Sequence, residues 1–198
     1  MPLHLWIMLL LACCAAPVAA LEVPGTCQVN FAATSTLHDF TGTAACTPFV
    51  LITTDTAAGE VEFEDVTLVV PVAGMRTGIE RRDHTMRAMF AVERFPRIVG
   101  RLPPAQLADG RRQLHRALAA QSAFPLLLRI RDREQSVAAR VTRLSDTSSG
   151  FELELQFPVS LAGYGLQPPT VLGFIRVGDE VSVKVNVQLA PLPTPWPP

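Results

Sequence analysis

Apolar and polar residues alternate with a period of two along much of this chain. The pattern is cleanest near the C-terminus, where Val181, Val183, Val185, Val187 and Leu189 are separated by Ser182, Lys184, Asn186 and Gln188. Successive strand side chains point to opposite faces, so this pattern predicts a strand with one dry and one wet face. Phe151, Leu153, Leu155 and Phe157 alternate in the same way with Glu152, Glu154 and Gln156, and Val137, Ala139 and Val141 stand against Ser136, Arg140 and Thr142. Ser148-Ser149-Gly150 between them is a turn signal, which predicts an antiparallel hairpin around residue 147.

At the other end, Cys27, Val29 and Phe31 alternate with Gln28, Asn30 and Ala32, and the chain resumes as an extended segment over 43–53 after Leu37-His38-Asp39-Phe40-Thr41-Gly42. If Cys27 stands opposite Cys46, then Val29 opposes Ala44 and Phe31 opposes Gly42, so one register serves both a disulfide and the apolar alternation. In residues 60–72 the apolar parity shifts between Phe63 and Val66, read here as a bulge or bend that curls the sheet. Further strands are expected at 96–102 and 124–131, about eight in all. Eight antiparallel strands with one apolar face each avoid exposed edges by closing into a barrel, but a two-sheet sandwich satisfies the same alternation.

The period changes at residues 79–90. Ile79, Met86, Met89, Phe90 and Phe95 fall near helical spacing with arginines between them, and Pro96 forces the chain out of helix. A short amphipathic lid feeding a new strand is expected there. Residues 105–121 read as a second helix around an interruption at Gly110. The tail Pro191-Leu192-Pro193-Thr194-Pro195-Trp196-Pro197-Pro198 cannot join a ladder and is expected to be an extended, mobile end.

Leu5 to Ala12 form an apolar run of signal-peptide length, and Val18-Ala19-Ala20 supplies the small residues that precede a cleavage site. Residues 1–20 therefore read as a removable signal peptide, with periplasmic or secreted localisation. Leu10-Leu11-Ala12-Cys13 is also a loose lipobox that would anchor the chain at Cys13. Residues 21–190 then suit one domain. Cys27 and Cys46 remain, and an oxidising compartment favours joining them, with two reduced buried thiols as the alternative. Net charge is −1, but unevenly spread: residues 21–75 hold seven acids and no base, and residues 76–143 hold fifteen arginines against six acids. The basic middle leaves transient contact with a membrane surface open, beside plain outward-facing arginines. Neither a basic run nor a stacking-aromatic motif is present, which argues against nucleic acid.

Three segments carry a family resemblance: Ser35-Thr36-Leu37-His38-Asp39-Phe40-Thr41-Gly42, the block from Arg82-Asp83-His84 to Pro96-Arg97-Ile98, and Phe157 to Pro169 followed by Leu172 to Val181. In order and spacing they resemble the YceI-like family, secreted bacterial proteins whose lipocalin-like barrel binds polyisoprenoid or related lipids. The resemblance favours the barrel over the sandwich and implies an all-β fold with one or two short helices, a closed eight-stranded antiparallel barrel. It also implies an amphiphilic lipid ligand such as a polyisoprenoid or isoprenoid quinone, no cofactor and no catalytic set. Where many members have a glycine-centred G-x-L-T-x-x-G strand, this chain has Gly110 to Ala120. The cysteine pair and the proline tail are not carried over from the family.

An isoprenoid chain offers no hydrogen bonds along its length, so its site must be an apolar bore that holds it by surface burial. The inward-facing candidates are Phe31, Phe63, Phe90, Phe95, Phe157 and Phe174, with Val29, Phe151, Leu153 and Leu155 sharing their parity. Met75, Met86 and Met89 would form an adaptable rim, since unbranched thioethers repack around irregular ligands. Arg82 and Asp83 at the helix start would orient a polar headgroup, or form a structural ion pair or cap. Each apolar residue would serve equally in a filled core, which makes a filled barrel acting as a protein- or membrane-interaction module the competing reading. No G-x-S-x-G nucleophile motif occurs, and His38, His84 and His115 have no metal-ligand spacing. His38 reads as a turn residue.

Overall fold

The computed structural model describes residues 20–55, 61–63, 66–102, 110–147, 150–168 and 176–191. Its strands are β1 (Ala20–Ser35), β2 (Phe40–Ala45), β3 (Phe49–Asp55), β4 (Val61–Phe63), β5 (Val66–Pro71), β6 (Arg97–Leu102), β7 (Ala123–Ile130), β8 (Arg133–Thr147), β9 (Gly150–Ser160) and β10 (Val177–Leu189). Helix α1 (Glu80–Met89) precedes β6, and α2 (Gly110–Ala120) precedes β7. The signal-peptide and lipobox expectations and the proline tail from Leu192 onward lie outside the described residues.

The ten segments occupy eight positions of a nearly closed antiparallel barrel. Two pairs of short segments explain the difference: β2 and β3 share one position beside the long β1, and β4 and β5 share the next. The first half of β1 pairs with β3 (Val23 opposite Leu51) and its second with β2 (Val29 opposite Ala44, Phe31 opposite Gly42), so β2 and β3 are one strand broken at Cys46–Pro48. The register expected from the cysteines is the observed one, and the Cys46 amide donates to the Cys27 carbonyl at 2.9 Å. From β1 the sheet continues through β10, β9, β8, β7 and β6 to β5. The circle closes where Thr43 and Arg76 exchange backbone bonds of 2.7 and 2.9 Å and the Thr47 amide donates to the Val69 carbonyl at 2.8 Å.

The parity shift between Phe63 and Val66 has a different cause from a bulge. β4 extends the β3 ladder, with Thr53 opposite Phe63, whereas β5 pairs with β6, with Val66 opposite Leu102. The chain changes partners there, so each short strand sets its own parity. Likewise Gly110 does not interrupt the second helix but begins it.

The two helices sit at opposite ends. Helix α1 has Glu80 and Asp83 in its first turn and Arg87 in its last, each sign matching the macrodipole. It stops at Met89, and Ala91 at φ 51° turns the chain toward Pro96. Helix α2 packs on β8, with Ala117 buried and Leu114 and Leu118 against the core at one-face spacing. The connection from β9 to β10 is pinned by the buried Tyr164, whose hydroxyl donates to the Leu128 carbonyl at 3.1 Å. Burial, aided by the nearby Glu134 charge, pushes this phenol up to about 12.

Candidate functional site

The barrel interior is hollow under α1. A cavity of about 490 Å³ opens between α1 and the β1–β2 turn, and its walls come from the inward face of nearly every strand. Down β1 the wall residues are Ser35, Ala33, Phe31, Val29 and Cys27; beside them on the paired strand β10 are Val181, Val183 and Val185. Among the described residues the polar lining is Ser35, His38, Arg81, Arg82 and Thr85, all on the β1–β2 turn or on α1. The cavity therefore has one polar end, the mouth, and an apolar depth.

The mouth is held by local bonds. The Ser35 hydroxyl donates to the His38 carbonyl at 2.7 Å and accepts from the His38 amide at 3.1 Å, while the Ser35 amide donates to Asp39 Oδ1 at 3.1 Å. This closes the β1–β2 turn on itself, as expected of His38 as a turn residue, and leaves the exposed Leu37 at the lip. Across from it, Ile79 is also exposed and lines the same opening.

Arg82 and Asp83 do different work. The Thr77 amide donates to Asp83 Oδ1 at 2.7 Å, and the Thr77 hydroxyl donates to the same oxygen. Burial alone would raise the Asp83 carboxyl, but the Thr77 hydroxyl and amide, with the charges of Arg87 and Arg76, outweigh it and hold the group below the usual carboxylate range. Asp83 is buried and does not line the cavity. It is a tether between α1 and the preceding loop, which corrects its assignment as a headgroup contact. Arg82 does reach the mouth. Its Nε donates to Thr77 Oγ1 at 2.9 Å, its Nη2 donates to the Thr77 carbonyl at 3.2 Å, and its guanidinium lies 4.5 Å from the Phe40 ring centre.

Of the other expected residues, Phe31, Met75, Met86, Met89, Phe90 and Phe157 all line the cavity. Phe95 does not: the turn after α1 rotates it outward, where Arg94 and Arg131 stack on its ring at 5.0 and 5.4 Å. Phe63 is placed in β4, but its side chain lies outside the described residues, as does all of Phe174. Cys27 and Cys46 are joined, with Cα atoms 5.2 Å apart, and the bridge forms part of the cavity wall at its deep end.

Sequence reasoning missed Gly100. It lies on β6 between the inward-facing Ile98 and Leu102, lines the cavity, and a Cβ built on it would meet nothing within 4 Å. A glycine inside a strand is itself a signal of a missing wall atom. Gly42 shows the opposite case, since a Cβ there would run into the Phe31 ring, which covers the glycine.

Comparison with known proteins gives the fold relatives. BcnA of Burkholderia cenocepacia superposes with a TM-score of 0.56 at 12% identity, covering 83% of this chain and 96% of that one. A polyisoprenoid-binding domain from Saccharophagus degradans superposes with a TM-score of 0.50 at 20% identity, covering 88% of this chain and 100% of that one. No curated protein sequence matches. The sequence pattern of the YceI-like domain matches residues 24–189, nearly the whole barrel from β1 to β10, and the chain therefore belongs to the YceI-like domain family.

Proposed function

We propose that this protein is an exported, non-enzymatic carrier that holds an isoprenoid or similar amphiphile with its tail in the barrel and its polar end at the α1 mouth. The observation that carries this reading is the segregation inside the cavity, where the described lining is an apolar depth of valine, leucine, phenylalanine and methionine with its polar side chains at the opening. A tail buried there gains about 25 cal/mol per Å² of apolar surface, and its headgroup keeps its hydrogen bonds at the rim. The polyisoprenoid-binding relative supports the same ligand class. The cavity also weighs against a barrel filled throughout by its own side chains. Export is supported by the Cys27–Cys46 bridge, which suits an oxidising compartment. Exposed Leu37 and Ile79 beside Arg81 and Arg82 suit brief contact between the mouth and a membrane surface during exchange.

The test is mass spectrometry of organic extracts from gently purified protein. A co-purifying amphiphile is expected from the native chain and none from Gly100→Phe, whose ring would occupy the cavity. A folded native protein that yields no lipid and takes none up from solution would overturn the proposal.

A further inference from the structure

On every wall the cavity stops within one inward-facing position. It is lined by Leu68, Gly100, Leu126 and Val185, whereas the next inward residues toward α2 on the same strands, Val66, Leu102, Phe124 and Val187, belong to the packed core and do not touch it. On β9 the change falls between Phe157, which lines the cavity, and Leu155, which is 1% exposed. Past the break at Cys46 it falls at Phe49, whose ring covers Gly25. Below this floor, among the described residues, Phe151, Leu153, Leu189 and the inner face of α2 pack into one apolar cluster.

The depth follows from the strand that runs its whole length. Eight residues separate Ser35 at the mouth from Cys27 at the floor, about 26 Å of strand at about 3.3 Å per residue. A strand tilt of about 40° reduces this to about 20 Å along the axis. A fully extended chain advances about 1.2 Å per bond, by the geometry that spaces a polypeptide at about 3.5 Å per three bonds, so an isoprene unit of about four backbone bonds advances about 5 Å.

We infer that the floor is a chain-length gauge: the cavity accepts a single tail of about four isoprene units or its equivalent, and Phe49, Leu102, Phe124, Leu155 and Val187 set that limit. The inference rests on the carrier reading and adds a size class to it. A longer tail gains nothing from its extra carbons, because they stay in water or must displace a packed core.

Affinities for the prenyl alcohols farnesol, geranylgeraniol and solanesol, in rising chain length, are measured by displacement of fluorescent parinaric acid from the full protein. Affinity is expected to rise at least about tenfold from farnesol to geranylgeraniol and to stay within about threefold from there to solanesol. Solanesol binding at least about tenfold tighter than geranylgeraniol overturns the gauge and leaves the carrier reading standing. No displacement by any of the three, with no lipid in the organic extract, overturns both. Phe124→Ala lowers the floor and is expected to raise solanesol affinity about tenfold with farnesol unchanged. Val187→Ala, on another wall, serves if Phe124→Ala does not fold. A folded floor variant with unaltered solanesol affinity overturns the assignment of the stop to these side chains.

Discussion

The α1 end and the α2 end of this barrel are drawn from the same strands with the same alternation, yet one is hollow and the other solid. Toward α1 the inward positions include Ala33, Ala44, Gly100 and a run of valines on β10, and the covering helix brings polar and flexible side chains, Arg82, Thr85, Met86 and Met89. Toward α2 they are Phe49, Leu102, Phe124, Phe151, Leu153 and Leu155, and the covering helix inserts Leu114, Ala117 and Leu118 directly. Alternation decides which residues face in. Their volume, and what the end helix presents to them, decides whether the interior closes. An eight-stranded barrel sits at the size where either outcome is available.

The largest expected effect comes from truncating one inward residue toward each end. Leu155→Ala removes a side chain that is 1% exposed and surrounded on all sides, so it should cost about 3 kcal/mol or more in denaturant unfolding. Val181→Ala, on the cavity wall and partly exposed, should cost under about 1 kcal/mol, since its neighbours already face empty space. Equal costs at both sites would mean that the two ends are packed alike.

Next in size is the disulfide at the boundary. With a sequence separation of 19 it closes a short loop, for which the chain-entropy argument gives about 3 kcal/mol. Reduction, or Cys27→Ser with Cys46→Ser, should lower the denaturation midpoint accordingly. The unmodified α1 end should keep its overall geometry, because its β1–β2 register is carried by backbone bonds from Gln28 to Ala33 as well.

Much of this was legible in the sequence, for reasons that differ by residue. The faces of β1, β9 and β10, and the register that sets Cys27 against Cys46, follow from period two, which is local. Around Phe63 and Val66 a change of partner and a bulge leave the same parity shift, so periodicity alone does not separate two strands from one. Phe95 lies nine residues beyond Met86, half a turn out of phase at about 3.6 residues per turn, and the helix ends at Met89 before Ala91 redirects the chain, so the helical face does not extend to it. Asp83 beside Arg82 gives no sign of whether it faces ligand or backbone; Thr77 decides that. The floor of the cavity had no sequence signature at all. Phe151 and Phe157 share parity and residue type, and only the side chains across the barrel distinguish core from wall.

A pair of identical substitutions sharpens the contrast at smaller amplitude. Gly25→Ala adds a Cβ that would collide with the Phe49 ring and come within 2.9 Å of Leu189, so it should destabilise by about 1–3 kcal/mol. Gly100→Ala adds a Cβ with nothing within 4 Å in a strand that accommodates any residue, so it should be neutral or stabilise by up to about 1 kcal/mol. Thermal melts should fall for Gly25→Ala and stay level or rise for Gly100→Ala.

The smallest effect is a pH dependence confined to the hollow end. Asp83 titrates below its ordinary range in the folded protein, so its contribution is complete above the unfolded carboxylate value, near 3.9, and is lost as pH falls through the lower folded value. Protonation removes the acceptor that holds the Thr77 amide and hydroxyl and frees the start of α1. Amide exchange between pH 5 and the acid limit should therefore quicken first at Thr77 and through the first turn of α1, with β9 residues such as Leu153 and Leu155 still protected. Asp83→Asn should show the quickened exchange already at neutral pH and flatten its dependence on acid. Uniform loss of protection at both ends would instead mark the barrel as one cooperative unit, in which the hollow half is as firmly held as the solid one.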